Sequence, residues 1–516
     1  MYEDVALTKC LSFGINGVDG YPVTIEAYAN GGLPGMEIIG LPDTGIKESR
    51  ERVRAAVESS GYMFPISRIV VNLSPADIRK EGPSFDLPIA VACIGLNNGL
   101  IRDEMSHTVL IGELSLDGSL QPVRGALPMV ISASQHGETD IVLPAANAEE
   151  VACIQGVRIF PARTLREVVE HLEGREPIEP QEQVNYDRML QRERDTVNDL
   201  SQVVGQTAAK RAIEIAAAGG HNLLMIGAPG SGKTMLARCI PGILPALTFE
   251  EALETTKIHS IAGKIRPGDG LMVNRPFSAP HHSASVASLI GGGPNARPGE
   301  VSLAHNGVLF LDEMPEFSRA SLEALRQPLE DGYVSVTRVQ RQARYQSSFM
   351  LIAGMNPCPC GYYGSRQKQC TCTPNEIKRY LDKISGPLLD RIDLQIEVDA
   401  VPVKEINSGA RPETSEAVAE RVSAARRIQN ERYRDTGIYC NAQLNNAMIR
   451  KYCAVSEETA ELLNLSVERL HLSMRAYNRV LKVARTIADL AGHQDIGAED
   501  VAEAIQYREL DTKYWG

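Results

Sequence analysis

With 516 residues, the chain is too long for one ordinary core, and about three domains of ~150 residues each are expected. Lys and Arg number 53 against 65 Asp and Glu; the formal net charge of −12 excludes a uniformly basic nucleic-acid coat and confines any DNA contact to a local patch. No apolar run approaches the ~20 residues of a membrane helix, and the start, MYEDVALTKC, has Glu3 and Asp4 where an export signal is basic, so no membrane partner and a cytoplasmic location are expected.

Residues 1–173 read as a mixed α+β domain, with strand-like alternation at 21–28 (YPVTIEAY) and 68–73 (RIVVNL) and a helical pattern at 46–59. Residues 174–199 are polar, charged and Pro-containing, which predicts a linker. From residue 200 a helical stretch (208–218) leads to the strand HNLLMIGA, a Gly-rich turn and another helix, the order of a parallel α/β nucleotide-binding core reaching to about 400. After a loop with Pro402 and Pro412, residues 401–516 are a helical lid, with helical patterns at 416–432, 457–465, 472–491 and 498–509.

Gly227, Ala228, Pro229, Gly230, Ser231, Gly232, Lys233 and Thr234 satisfy G-x-x-x-x-G-K-[ST] between a strand and a helix. Glycines let backbone N–H groups turn inward around phosphate oxygens, and the following helix adds its positive end. Lys233 supplies charge to the β and γ phosphates of ATP and the Thr234 hydroxyl can ligate Mg²⁺. A second apolar strand, 307–311, ends in Asp312 and Glu313, read as the Mg²⁺ carboxylate and the base that activates water. A third, 349–355, ends at Asn356, whose amide could reach the γ-phosphate or the water. The run 386–393 places Arg391 between Asp390 and Asp393, to either of which it could be salt-bridged.

In that order these features resemble an AAA+ ATPase: a Gly205-Gln206 opening, a P-loop, an acidic strand end, sensor 1 at Asn356, an arginine finger at Arg391 and sensor 2 at Arg475. More narrowly, the stretches NLSPADIRKEGPSFDLPIA, FSAPHHSAS, LEALRQPLEDG, NPCPCGYYG, ISGPLLDRID and SMRAYNRVLKVARTIADLAG resemble the YifB/ComM family of magnesium-chelatase-like AAA+ ATPases over nearly the whole chain. The resemblance implies a ring, a homo-hexamer, in which Arg391 reaches the ATP of a neighbour, and a DNA motor for branch migration in recombination or transformation, with recombination proteins as further partners. It leaves as rivals a chelatase-type motor acting on a tetrapyrrole, an ATP-dependent Lon-like protease and a remodeller of protein complexes. Arg475, Arg479, Lys482 and Arg485 recur on one helical face, for which a solvated stripe is the plain reading; Arg475, at the helix start, is assigned to nucleotide sensing.

Residues 331–344 alternate as a strand and turn back near Gln340, crowding Arg338, Arg341 and Arg344 at a hairpin tip. In ATPase rings resembling this one, such hairpins line the pore, and arginines there neutralise DNA phosphates; a hairpin made soluble by charge is the alternative. The stretch 276–300 reads as a loop whose His281 and His282 are structural rather than metal ligands. The N-terminal domain resembles the Lon protease fold at Lys80-Glu81-Gly82-Pro83-Ser84, but Leu127 stands where that family has its lysine, which disfavours proteolysis. With no export signal expected, the ten cysteines argue against a disulfide framework, and Cys358, Cys360, Cys370 and Cys372 together suit a structural Zn²⁺, four reduced thiols being the alternative.

Overall fold

The computed structural model describes residues 6–97, 107–192, 198–266, 269–292, 296–338, 341–365, 368–399, 401, 412–470 and 473–515. They fall into two compact units: Met1–Arg192 with Phe249–Val273 and Gln340–Arg344, and Glu193–Thr248 with Asn274–Val339 and Tyr345–Gly516.

The first unit is built on a seven-stranded sheet of β1 (Ala6–Asn16), β2 (Asp19–Asn30), β3 (Gly35–Ile39), β4 (Arg68–Ser74), β5 (Thr108–Leu110), β6 (Asp140–Pro144) and β7 (Arg158–Ala162), in the order β3-β4-β2-β1-β5-β6-β7. A tight turn at residues 17–18 folds β2 back on β1 in an antiparallel register running from Ala6 opposite Ala29 to Asn16 opposite Asp19. Alternate residues of β4 (Ile69, Val71, Leu73) are buried, as a sheet with one packed face requires. Helix α1 (Thr44–Ser59) is capped by Asp43, which accepts from the Ile46 N–H at 2.8 Å. Helix α2 (Asp86–Asn97) is buried on every side from Asp86 to Leu96, so it forms the centre of this core. Helix α3 (Ala126–Gln135) packs on β2, and α4 (Leu165–Leu172) completes the layer. The polar segment expected as a linker is tied along this unit: the Gln181 N–H donates to Ile159 O at 2.7 Å and the Val184 N–H to Ala152 O at 3.1 Å.

The second unit holds a five-stranded, all-parallel sheet: β8 (Leu223–Ile226), β9 (Phe277–Ser278), β10 (Val308–Leu311), then β13 (Met350–Met355) and β14 (Leu394–Glu397), ordered β9-β10-β13-β8-β14. Between β10 and β13 in sequence, β11 (Tyr333–Arg338) and β12 (Arg341–Gln346) form a two-stranded sheet of their own. Strands β8, β10 and β13 are buried along their whole length, which explains why their sequences are unbroken apolar runs rather than alternating ones. Helices α5 (Thr207–Gly219) and α6 (Lys233–Ile243) share that core. Helix α7 (Phe249–Ala262) lies inside the stretch expected for the ATPase core, yet groups with the first unit: it packs on α3, its Ser260 hydroxyl donates to the buried Glu150, and Phe249 meets Tyr186 edge-on with centroids 5.6 Å apart.

The C-terminal helices α8 (Ser415–Arg432), α9 (Glu457–Arg469), α10 (Met474–Ala491) and α11 (Ala498–Gln506) join the second unit's core. Pro402 lies outside the described residues. The cationic stripe on α10 is largely inside: Arg485 is 3% exposed and meets Asp489 at 3.0 Å, Arg479 meets Asp393 at 3.3 Å, and Lys482 donates to Ala442 O at 2.8 Å. The solvated reading therefore fails beyond Arg475, because two buried carboxylates supply the counter-charge, Asp489 from one turn further along α10 and Asp393 from the segment before β14. Burial pushes the Asp393 carboxyl up, but His221, with Nδ1 at 3.6 Å, and the charges of Arg479 and Lys482 outweigh it and hold the group at about 2.

A carboxyl whose folded value is depressed contributes stability above its unfolded value of ~3.9 and loses it as pH falls through the folded value. The wild-type chain is expected to lose about 2–3 kcal/mol from this group between about pH 4 and 2. Denaturant midpoints at pH 5, 4 and 3 check it: Asp393→Asn should be less stable at pH 5 and show a shallower decline, and an unchanged slope would refute the assignment.

Candidate functional site

Parallel pairing sets the site. Ile226 is opposite Met355 and Leu311 opposite Ala353, so β8, β13 and β10 deliver the P-loop, Asn356 and Asp312-Glu313 to one edge of the sheet. Gly232 ends the P-loop at φ 95°, a left-handed conformation that lets the chain turn into α6 with its N–H groups free to face an anion. Lys233, 8% exposed, points back into the loop, donating to Gly227 O at 2.7 Å and Ala228 O at 3.0 Å, with Asn356 Oδ1 at 3.4 Å. Burial pushes its ammonium below the ordinary lysine value, and Asp312 and Glu313 pull the other way.

Thr234 donates its hydroxyl to Asp312 at 2.7 Å. A hydroxyl and a carboxylate in contact beside a phosphate loop are hard oxygen ligands of the type Mg²⁺ takes together with nucleotide phosphates. The Glu313 N–H donates to the other Asp312 oxygen at 3.0 Å, and Glu313 sits at φ 51°, a conformation costing a non-glycine residue about 1–2 kcal/mol. That kink turns the Glu313 side chain away from the strand axis and into solvent, toward His282. Gln206, at φ 55°, donates to Ser231 O at 3.3 Å and so also touches the P-loop.

Arg391 is bridged to neither acid beside it. Its guanidinium meets Glu330 and donates to Pro387 O at 2.5 Å. Arg475, exposed at the start of α10, meets Asp390 at 3.3 Å. Neither arginine is held by a P-loop group. Of the hairpin residues, Arg344 is exposed, and the side chains of Arg338 and Arg341 lie outside the described residues.

The four clustered cysteines converge. Cys358 Sγ lies 3.3 Å from Cys360 and 3.6 Å from Cys370, Cys360 and Cys370 are 3.5 Å apart, and the Cys372 sulfur accepts from the Cys360 N–H at 3.4 Å. All four sulfurs fall within 4.8 Å of one another, a set that could hold a metal ion. The Thr371 N–H and further hydrogen bonds from the loop hold the Cys360 thiol down at about 5. Their loop also touches the nucleotide site, which the sequence did not reveal: Gly361, at φ 84°, is seated on the P-loop so closely that a Cβ there would lie 2.6 Å from Pro229 Cδ. A glycine after C-x-C was the one signal available, and it does not name its neighbour.

In the Lon-like domain, Leu127 is fully buried and its N–H faces Glu150 at 3.4 Å, so no base stands at that position. The buried Lys80 Nζ has no hydrogen-bond partner among the described residues and thus does not hold Ser84.

Sheet order, P-loop and acidic strand end together define a P-loop ATPase of the AAA+ type, an ATP hydrolase acting on ATP with Mg²⁺. Family models described as magnesium chelatase, subunit ChlI match residues 199–406, as subunit ChlI of Mg-chelatase residues 25–147, and as magnesium chelatase, subunit ChlI C-terminal residues 412–508. The chain is 43% identical over 497 residues to the YifB protein of Escherichia coli and 42% identical over 495 residues to the competence protein ComM of Haemophilus influenzae, each alignment covering 96% of both chains. It is also 27% identical over 135 residues to Lon protease 2 of Bacillus subtilis, covering 26% of this chain and 24% of that one. The chain belongs to the YifB/ComM family of magnesium-chelatase-like AAA+ ATPases.

The seat of Gly361 makes a test. Gly361→Ala must both strain the backbone and push on Pro229, so the folded chain should lose about 1–2 kcal/mol of stability and ATP affinity should fall as the P-loop is displaced. Titration with a fluorescent ATP analogue reads it; affinity within twofold of wild type would show that the loop and P-loop are independent.

Proposed function

We propose that the chain is the subunit of a ring-forming motor, a cytoplasmic homo-hexamer, that couples ATP hydrolysis to remodelling or translocation of DNA, as in branch migration during recombination or transformation. In this reading Lys233 and the P-loop backbone hold the phosphates, Thr234 and Asp312 hold Mg²⁺, Glu313 takes the proton of the attacking water, and Asn356 orients that water. The bound Mg²⁺ neutralises charge on the β and γ phosphates. Arg391 acts on the nucleotide of a neighbouring subunit and Arg475 senses the nucleotide; the Arg475 guanidinium is held only by an exposed contact with Asp390, weak enough to exchange for a phosphate.

The observation that carries the DNA reading is the strand pair β11 and β12, inserted between the acidic strand and the sensor strand, with Arg338, Arg341 and Arg344 near its turn in a chain of net charge −12. The relative from Haemophilus influenzae, named as a competence protein, supports it. Proteolysis finds no support: a buried leucine occupies the position at which the Lon family places its lysine. The four cysteines take Zn²⁺, since their closest sulfur separations of 3.3–3.6 Å are near the ~3.8 Å edge of a tetrahedron with Zn–S of ~2.3 Å. Zinc there staples the loop that carries Gly361.

Two measurements test this. ATP turnover at low salt with and without single-stranded or forked DNA should be stimulated by DNA, and Arg338→Ala with Arg341→Ala and Arg344→Ala should abolish the stimulation; absence of salt-sensitive DNA binding would overturn the motor reading. Metal analysis should find about one zinc per chain, lost in Cys370→Ser with a fall in Tm, whereas a metal-free protein of unchanged Tm would leave four reduced thiols.

A further inference from the structure

Asn222, the residue before β8, ties three segments together. Its side-chain amide donates to Arg391 O at 2.7 Å and accepts from the Leu351 N–H at 2.8 Å. Its backbone N–H donates to the Asp393 carboxylate at 3.0 Å, and its carbonyl accepts from the Asp393 and Leu394 N–H groups, each at 3.0 Å. One residue thus joins the start of the P-loop strand to the sensor strand β13 and to the turn that carries Arg391.

That turn needs a partner from outside. Arg391 stands two residues past the short helix Gly386–Leu389, whose last carbonyls have no further helical turn to bond them. The Arg391 N–H still donates to Leu388 O at 2.9 Å, but the chain then straightens into β14, and Arg391 O is taken by Asn222. Hydrogen bonds at both its N–H and its carbonyl hold the two peptide planes that flank Arg391, and so fix the direction in which its side chain leaves the backbone.

Strand β14 pairs with β8 in parallel, Leu223 opposite Leu394 and Ile226 opposite Glu397, so the Arg391 turn and the P-loop lie at opposite ends of β8. A four-residue strand spans ~13 Å, which puts the guanidinium at the far edge of the sheet from the phosphates of its own subunit. We propose that Asn222 is the positioning residue of Arg391, a role that rests on Arg391 acting on the nucleotide of a neighbouring subunit: the amide registers the arginine turn on the strand that carries the subunit's own P-loop, and thereby sets the angle at which the guanidinium is offered to the neighbour. Asn222 touches no nucleotide and acts through the Arg391 backbone.

Mixed rings of full-length chains, isolated through a different affinity tag on each kind of subunit, separate this role from support of the fold. Lys233→Ala subunits lack a working P-loop and keep Arg391, whereas Arg391→Ala subunits have the reverse. Each alone should be inactive, and the mixed rings should turn over ATP at about a quarter of the wild-type rate, because about one neighbouring pair in four is ordered productively in a head-to-tail ring. Asn222→Asp keeps an acceptor for the Leu351 N–H and loses the donor to Arg391 O. Added to the Lys233→Ala subunit, which contributes only its arginine, it should lower the mixed-ring rate at least about tenfold, as expected when a catalytic group is misplaced by about 1 Å. Added to the Arg391→Ala subunit, which contributes only its P-loop, it should leave the rate within about twofold. A similar loss in both placements would mark a residue that merely holds the sheet together and would overturn the proposal, as would a loss in the second placement alone or in neither. Parent variants that form no mixed rings, or mixed rings that do not hydrolyse ATP, would overturn the action of Arg391 across subunits, and the role of Asn222 with it.

Discussion

Everything at the nucleotide site depends on β8, β10 and β13 being parallel, adjacent and buried on both faces. In-register pairing of Ile226 with Met355 and Leu311 with Ala353 brings their carboxyl ends level, so the segments leaving them cannot avoid one another. A fully buried strand has no room for polar side chains along its length, and the chemistry must collect where the strands stop. Thr234 meets Asp312 and Lys233 meets Asn356 for that reason, although 78 and 123 residues separate them in sequence.

The arginines divide into two kinds. Arg485 and Arg432 share Asp489 inside the helical region, and Arg479 faces Asp393; removing a partner from such a pair leaves an uncompensated buried charge, which fixes these side chains in place. Arg391 and Arg475 instead pair with Glu330 and Asp390, carboxylates 66% and 32% exposed. A pair open to water is worth about 0–1 kcal/mol, which describes Arg475 with Asp390; the Arg391 side chain is itself 15% exposed and donates to Pro387 O as well, so it is held more firmly. Adjacent positions, Asp390 and Arg391, thus belong to two different ion pairs, while Asp393 serves the interior.

Two loops close around the phosphate edge by different means. The cysteine loop is drawn together by its sulfurs and rests Gly361 on Pro229, where any larger residue collides. The histidine loop is placed by the short pairing of β9 with β10 and brings His282 to Glu313.

The sequence by itself determined the P-loop, the acidic strand end and the element types, because these are set by short-range constraints: glycines at fixed spacing, unbroken apolar runs for buried parallel strands, and helical periodicity. The helices expected at 46–59, 208–218 and 416–432 are found at Thr44–Ser59, Thr207–Gly219 and Ser415–Arg432. Strand β9 escaped notice since a two-residue ladder next to Pro276 has no period to detect. The cationic stripe on α10 was misread as solvated because helical spacing shows which residues share a face and says nothing about what covers that face, such as Asp393 against Arg479, although Asp489 stood one turn after Arg485 in the sequence. Only the tertiary structure decided that Arg479 and Arg485 are inside, that Arg391 is bound to Glu330, that α7 belongs with the first unit, that His282 stands by Glu313 and that Gly361 stands against Pro229. Apart from the pair of Arg485 with Asp489, one turn apart on α10, each of these is a contact between segments far apart in the chain, which no local pattern of residues encodes.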